Sequence, residues 1–203
     1  MAFAYKTLKV PIGMRRSYFG AIATEPVNSH PIYESPVSMG EGVKCELSIT
    51  TATASIYGDD VDLLDIETFV GAQADAETAC DDLETNALIF GHAYASSGDD
   101  ASVEISGMDD QPPLGAYAYI QHLIKKDKTH AFRGVFFYRC TAMPSSEKQS
   151  DATQSSSLDP KMNPVSFKIT PDNAGKWRAR KEFATQADAE AWIATMYGAS
   201  FSA

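Results

Sequence analysis

The amino-acid sequence predicts a mainly β (α+β) protein: a β-sandwich or partly closed barrel with a flanking C-terminal helix and one further short helix. Three observations carry that expectation. Segments alternating apolar with polar residues recur along the chain, bounded by turn-forming clusters of Gly, Pro, Asp and Asn. Only two stretches repeat apolar residues at helical spacing, and both are short. At 203 residues the chain suits one domain, with or without arms, and folding buries roughly 70% of the surface of such a chain. The sum is about seven to nine strands layered around one core.

Residues 1–42 read as an N-terminal arm, because Pro11, Pro26, Pro31 and Pro36 interrupt any long element. Arg15, Arg16, Tyr18 and Phe19 are its candidate anchors. The domain proper spans 43–203. It opens on "VKCELSITTATASIY" (43–57), a Thr- and Ile-rich alternating strand. "CDDLETNALIFG" (80–91) reads as a short helix. Asp81 is the expected N-cap with Glu84 three residues on, Leu83, Ala87 and Phe90 share one face, and Gly91 ends it. "SGDDASVEISGMDDQPPLG" (97–115) sets a short strand between two Asp-Asp turns.

"GAYAYIQHLI" and "THAFRGVFFYRCTA" flank "KKDK" and predict a β-hairpin over 115–142. On its second arm Phe132, Phe136 and Tyr138 share one face and Arg133, Val135, Phe137 and Arg139 the other. Neither face is cleanly polar, so both should be covered, and the outer aromatics suggest a partner surface. The Ser-rich stretch 143–160 lacks large apolar residues and reads as a long exposed loop. "PVSFKITPDNAGKWRARKEF" (164–183) reads as a second hairpin turning at "PDNAG". The clearest helix is "TQADAEAWIATMYG" (185–198). Thr185 caps it, Asp188 complements its dipole, Ala189, Trp192, Ile193 and Met196 form its stripe, and Gly198 stops it.

Charge is distributed unevenly. From Cys45 through Ile124 there is no Lys or Arg, against sixteen Asp and Glu; the rest of the chain holds all seventeen basic residues and eleven acidic ones. Nucleic-acid binding needs cations to replace phosphate counterions, so the acidic middle repels it. No apolar run approaches the ~20 residues of a membrane helix. The N-terminal "MAFAYKTLKVPIG" has no signal-peptide pattern, so export by that route is not expected. Cys45, Cys80 and Cys140 are odd in number and far apart, which reads as small buried hydrophobes.

"SIYGDDVDLLDIE" (55–67) contains Tyr57-Gly58-Asp59-Asp60, the metal-binding hairpin signature of RNA-dependent polymerases. Its context excludes that chemistry: a palm needs another metal-binding Asp opposite, a helix-rich frame and cations for template and triphosphate. Asp59, Asp60, Asp62, Asp65 and Glu67 also offer hard oxygen ligands for Ca²⁺. Their spacing is not that of a calcium loop, and on a regular strand Asp60 and Asp62 would face away from Asp65 and Glu67. His30, His92, His122 and His130 show no ligand spacing, and no nucleophile elbow or phosphate-cradling glycine loop occurs. No catalytic residue, metal or cofactor is expected.

Taken in order, the segments "ATASIYGDD", "DDLETNALIFGHAY", "DDQPPLGAYAYIQHL" with its Pro-Pro-x-Gly-x-x-x-Tyr lead into a strand, "RGVFFYRCTAMP", the Ser-rich insertion, "PVSFKITPDNAGKWRARKEF" and "QADAEAWI" resemble the major tail proteins of long, non-contractile phage tails. The resemblance spans roughly residues 43–197 and implies a tail-tube subunit assembling as hexameric rings that stack into a conduit for DNA ejection. It implies further partners: a tape-measure protein inside, a terminator above, a tip complex below, and DNA that passes without specific binding. It places the protein in the virion tail after assembly in the host cytoplasm. In that family the Tyr-x-Asp-Asp/Asn segment is a structural feature beside a loop.

A conduit for a polyanion favours acidic walls, which agrees with the charge pattern. Asp59, Asp60, Asp62, Asp65, Glu67, Asp99, Asp100, Asp109 and Asp110 are therefore a candidate lumen or inter-subunit surface, and Lys176, Arg178, Arg180 and Lys181 a candidate basic surface that meets acids of a neighbour. Two alternatives are a calcium-dependent surface-binding β-sandwich and a tube protein of a secretion or injection system.

Overall fold

A computed structural model describes residues 8–58, 61–98, 101–147 and 162–199, with the side chains of 56–64 outside the description. Strand β1 spans Lys9–Thr24, and two short strands follow, β2 (Ile32–Tyr33) and β3 (Val37–Ser38). Long strands β4 (Gly42–Gly58) and β5 (Val61–Thr78) precede helix α1 (Leu83–Phe90). Strands β6 (Ala93–Ala95) and β7 (Val103–Ile105) form a small separate pair. The centre is β8 (Leu114–Lys125) and β9 (His130–Ala142), followed by a 3₁₀ turn, β10 (Asn163–Ile169), β11 (Arg178–Phe183) and helix α2 (Gln186–Tyr197).

The protein is mainly β with two helices. Apart from the β6–β7 pair, its β structure is one antiparallel sheet ordered β2-β1-β8-β9-β10-β5-β4, with β11 also on β9 and β3 also on β1, rather than two facing sheets. The sheet wraps around its core, bringing Phe19 of β1 against Phe167 of β10, with ring centroids 5.7 Å apart. Closure into a barrel is not reached. At the seam, among the described residues, the turn before β4 bonds to β1 through Ser17 N–H to the Gly40 carbonyl at 3.0 Å and Met39 N–H to the Ser17 carbonyl at 2.8 Å.

Alternation along β8 and β9 loads both faces of the sheet. Inward, Tyr117, Val135 and Phe137 join Phe19, Ala74, Phe167 and Ile169, with Ile89 and Phe90 of α1 closing one end. Outward, Ala116, Ala118, Ile120 and Phe136 meet Tyr18, Ala189, Ile193 and Tyr197, and Phe132 and Tyr138 pack beside them. Both faces are covered as the sequence suggests. The outer aromatics, however, meet this chain's own α2 rather than a partner. The small residues at 116 and 118 bring the helix close, and the Tyr197 hydroxyl lies 3.1 and 3.0 Å from the Tyr18 and Ala116 carbonyls.

Several local expectations are corrected. Pro11 does not keep residues 9–24 from forming a long strand: it sits beside a register shift between Pro11 and Gly13, where a missing N–H is tolerated. Tyr18 and Phe19 do anchor this segment, but into the chain's own core. The cap of α1 is Asp82, which accepts from Thr85 N–H at 3.0 Å, while Asp81 binds the Asn86 side chain. Leu83 is exposed, and Ile89 takes its place in the core. Thr185, Asp188 and Gly198 bound α2 as expected. Of the cysteines only Cys140 is fully buried; Cys45 is half-buried and Cys80 exposed.

The segment 164–183 is not a hairpin. Both β10 and β11 run antiparallel to β9, along the same edge and end to end. Residues 170–177 leave that line and return to it: Thr170 N–H donates to the Arg139 carbonyl at 3.0 Å and Tyr138 N–H to the Trp177 carbonyl at 3.2 Å. Asp172, its side chain fully buried, holds the excursion together. Its Oδ1 accepts from Ala174 and Lys176 N–H at 3.0 and 2.7 Å, and its Oδ2 lies 2.6 Å from His30 Nδ1. The turn chemistry of "PDNAG" is real, but it closes a bulge in an otherwise continuous strand.

Candidate assembly surface

Strands β4 and β5 pair from Gly42↔Thr78 to Gly58↔Val61, so Tyr57 and Gly58 lie at the far end of this long pairing. β10 pairs with β5 only over Ala72–Thr78. Beyond Gly71 the two strands pair only with each other among the described residues, and a ribbon of this length extends about 30 Å at strand rise. The departure point is built by aromatic packing. Phe69 stacks on Trp177 at 4.6 Å, immediately before β11 begins.

Two-stranded ribbons are marginal in water, because one layer cannot bury its own apolar surface. This one leaves Ile66 42% and Val70 54% exposed, and Ile49 at its base, opposite Ala72, is 50% exposed. β4 is also the edge of the nine-stranded sheet, so one row of its backbone groups has no strand partner within the described chain.

Register shows which acids share a face. Pairing shifts by one residue between Thr50↔Gly71 and Thr51↔Phe69, a bulge at Val70. Thr51, Thr53 and Ser55 consequently pair with Phe69, Glu67 and Asp65, on the face that continues the inner core of Leu47 and Ala74. Glu67 and Asp65 are exposed there, and the Ser55 hydroxyl donates to Asp65 Oδ1. Glu46, Asp75 and Glu77 occupy the opposite face, with Lys44 bridging Glu46 at 2.9 Å. Hydrogen bonds from Ser166 and then Gln73 hold the Asp75 carboxyl below its usual range.

Asp59, Asp60, Asp99 and Asp100 lie outside the described residues, and for Asp62 only the backbone is described. The pairing shifts again between Ile56↔Leu64 and Tyr57↔Asp62, which removes the regular alternation on which the opposed-face expectation rests. Asp109 is exposed, and Asp110 accepts from Gly107 N–H at 2.6 Å in the turn after β7. No described contact joins these two to Asp65 and Glu67.

The basic residues cluster on and beside β11. Arg178 and Arg180 pair with Phe137 and Val135 and share the inner face, whereas Lys181 lies opposite Gly134 on the outer one. The Arg178 guanidinium lies 4.3 Å over the Trp177 ring, and burial, then Arg180, lowers its pKa. Lys181 lies 5.3 Å over Phe183, and Lys176 is exposed in the excursion. None of the four forms an ion pair with a described carboxylate. Arg133 and Arg139 differ, being held by Glu182 and Glu25 at 2.7 Å each.

Histidine sequence spacing concealed three pairings. His30 meets Asp172, His122 Nε2 lies 2.9 Å from His130 Nδ1, and His92 meets Glu104. These partners lie between 8 and 142 positions away, so no local motif signals them. No helix among the described residues is long and apolar enough to cross a membrane. No protein-family model matches the chain, and no curated protein matches it.

Proposed function

We propose that this chain is a structural subunit of a phage tail tube, polymerising as stacked hexameric rings through which DNA is ejected. The observation that carries the reading is the β4–β5 ribbon. It leaves the body beyond Gly71, exposes Ile66 and Val70, and presents a strand edge with no strand partner among the described residues. Such a ribbon gains its missing burial from a neighbouring copy, and a head-to-tail contact of this kind closes around an axis and stays open along it. The cations on and beside β11, which pair with no described carboxylate, and the exposed acids of the ribbon supply complementary charge for that contact.

The sequence resemblance points the same way. Tape-measure, terminator and tip proteins are the further partners, and the Lys- and Arg-free stretch that includes the ribbon suits a wall along which DNA slides. The subunit has no catalytic role in this reading. Negative-stain microscopy of the purified protein tests it. Rings or tubes of uniform diameter are the expected result. A monodisperse monomer at high concentration would sink the reading, and a monomer whose melting temperature rises with Ca²⁺ would favour a calcium-dependent binding module instead.

A further inference from the structure

The C-terminal end of α1 leads directly into a polar cluster. Gly91, at φ 77°, caps the helix in a left-handed conformation, and a Cβ there would meet the Gln111 carbonyl oxygen at 2.2 Å. Glycine thus lets segment 110–112 lie against the chain where His92 begins. The His92 side chain is 7% exposed, with Phe90 stacked on it at 5.9 Å. Around it stand Glu104 of β7, Asp110 of the following turn and Glu147 just past the 3₁₀ turn Pro144–Ser146. His92, Glu104 and Glu147 each offer a ligand atom, all within 4.8 Å of one another.

Nδ1 of His92 lies 2.8 Å from Glu104 Oε1 and 3.2 Å from Ser106 Oγ. An ionised carboxylate only accepts, so Nδ1 carries the proton in the neutral ring and Nε2 the lone pair. Among the described residues Nε2 has no hydrogen-bond partner. It is aimed at two further carboxylates, Glu147 Oε2 at 3.7 Å and Asp110 Oδ2 at 4.0 Å. A lone pair facing two anionic oxygens is repulsive unless positive charge lies between them. No Lys or Arg pairs with Glu104, Asp110 or Glu147 among the described residues, and a single proton on the ring leaves three carboxylates against one cation.

A divalent ion resolves both the charge and the geometry. Zinc bonds of about 2.0–2.2 Å to nitrogen and oxygen set neighbouring ligand atoms roughly 3.4 Å apart in a tetrahedron, and Nε2 lies 3.7 and 4.0 Å from the Glu147 and Asp110 oxygens, so the carboxylates must draw in to share an ion. One imidazole among carboxylates suits Zn²⁺ better than Ca²⁺, which takes oxygen ligands throughout. We propose that His92 Nε2, Glu147 and Asp110 bind Zn²⁺, with solvent completing the shell and Glu104 orienting the imidazole. Glu104 then acts as the carboxylate partner that metal-bound histidines commonly have, and the Gly107 N–H fixes Asp110 in the same manner. The ion ties α1, the β6–β7 pair and the end of β9 together at the root of the Ser-rich segment. This inference does not depend on the tube reading.

The test is calorimetric titration of chelator-treated, dialysed full-length protein with ZnCl₂, alongside thermal unfolding and visible spectra of the Co²⁺ form. The expected result is one Zn²⁺ per chain with Kd at or below about 10 µM, a raised melting temperature and the intense visible bands of tetrahedral Co²⁺. Glu147→Gln changes a half-exposed side chain, leaves the fold intact and should weaken Zn²⁺ about 10–100-fold. His92→Gln should abolish binding, whereas His122→Gln on the distant β8–β9 hairpin should not change it. Absence of binding in the wild type overturns the proposal, as does affinity that Glu147→Gln leaves unchanged or that His122→Gln abolishes.

Discussion

Phe69 and Trp177 stack with ring centroids 4.6 Å apart and planes 12° from parallel, at the point where the β4–β5 ribbon parts from the sheet. The contact joins the base of the ribbon to the excursion that interrupts β10 and β11. Trp177→Ala should therefore cost about 1–2 kcal/mol of stability and speed amide exchange along residues 50–71, while Trp177→Phe keeps most of both. Urea unfolding and hydrogen exchange provide the readout. Unchanged exchange in the Ala variant would show that the ribbon is held by something else.

Asp172 is the polar counterpart of that contact. Asp172→Ala removes the acceptor for two backbone N–H groups and for His30 and should destabilise the fold by about 2–3 kcal/mol. His30→Ala removes one partner only and should cost less. Denaturant midpoints rank the two, and equal losses would contradict the role assigned to the turn.

Gly134 faces α2 so closely that a Cβ would meet the Trp192 ring at 2.5 and 2.7 Å. Gly134→Ala should cost about 1–3 kcal/mol by lifting the helix. Combining it with Trp192→Leu should cost less than the sum of the separate changes, because the clash is removed. Strict additivity in the double-mutant cycle would rule out the contact.

The ribbon acids bear on assembly rather than folding. Asp65→Lys with Glu67→Lys should shift stability by no more than about 0.5 kcal/mol, as exposed substitutions do, yet block ring stacking or slow DNA passage. Circular dichroism checks the fold, and microscopy with DNA-ejection assays checks the function. Normal tubes with normal ejection would remove these acids from the proposed surface.

Acid sensitivity follows from two depressed carboxyls. Ser166 and Gln73 lower Asp75, and Lys9, then Arg133, lower Glu182. A carboxylate lowered in the folded state contributes stability that is fully present above its unfolded pKa of about 4 and is lost as pH falls through the folded value. Stability should thus decline on acidification below about pH 4, with Asp75→Asn and Glu182→Gln each flattening that limb by less than about 1 kcal/mol. Chemical denaturation across that range measures it, and an acid limb identical in both variants would count against these pairs.

The legible parts of the fold were those encoded locally. The β8–β9 hairpin, the caps of α2 and the strand over 43–57 follow from period and turn chemistry within short windows. What escaped the sequence depends on distant partners. The inclusion of β1 rests on its ladder with β8, and the end-to-end placement of β10 and β11 rests on β9 supplying the shared edge. The acids of 65–67 were recognised as surface residues, but the bulge at Val70 that selects their face leaves no compositional mark. The cluster at His92 combines residues from separate loops, so no ligand spacing announces it.

The ladder of β1 has a consequence for synthesis. Its partners run from Lys9↔Lys125 to Ala21↔Gly115, so this ladder waits for about a hundred more residues. At translation speeds of about 5–20 residues per second, that wait lasts roughly 5–20 s. Through that interval β1 can pair only with the short β2 and β3, and the edge of Tyr18 and Phe19 that meets β8 stays open. The nascent chain is therefore most open to misassociation before β8 emerges, and a chaperone that shields residues 9–24 would act at that moment.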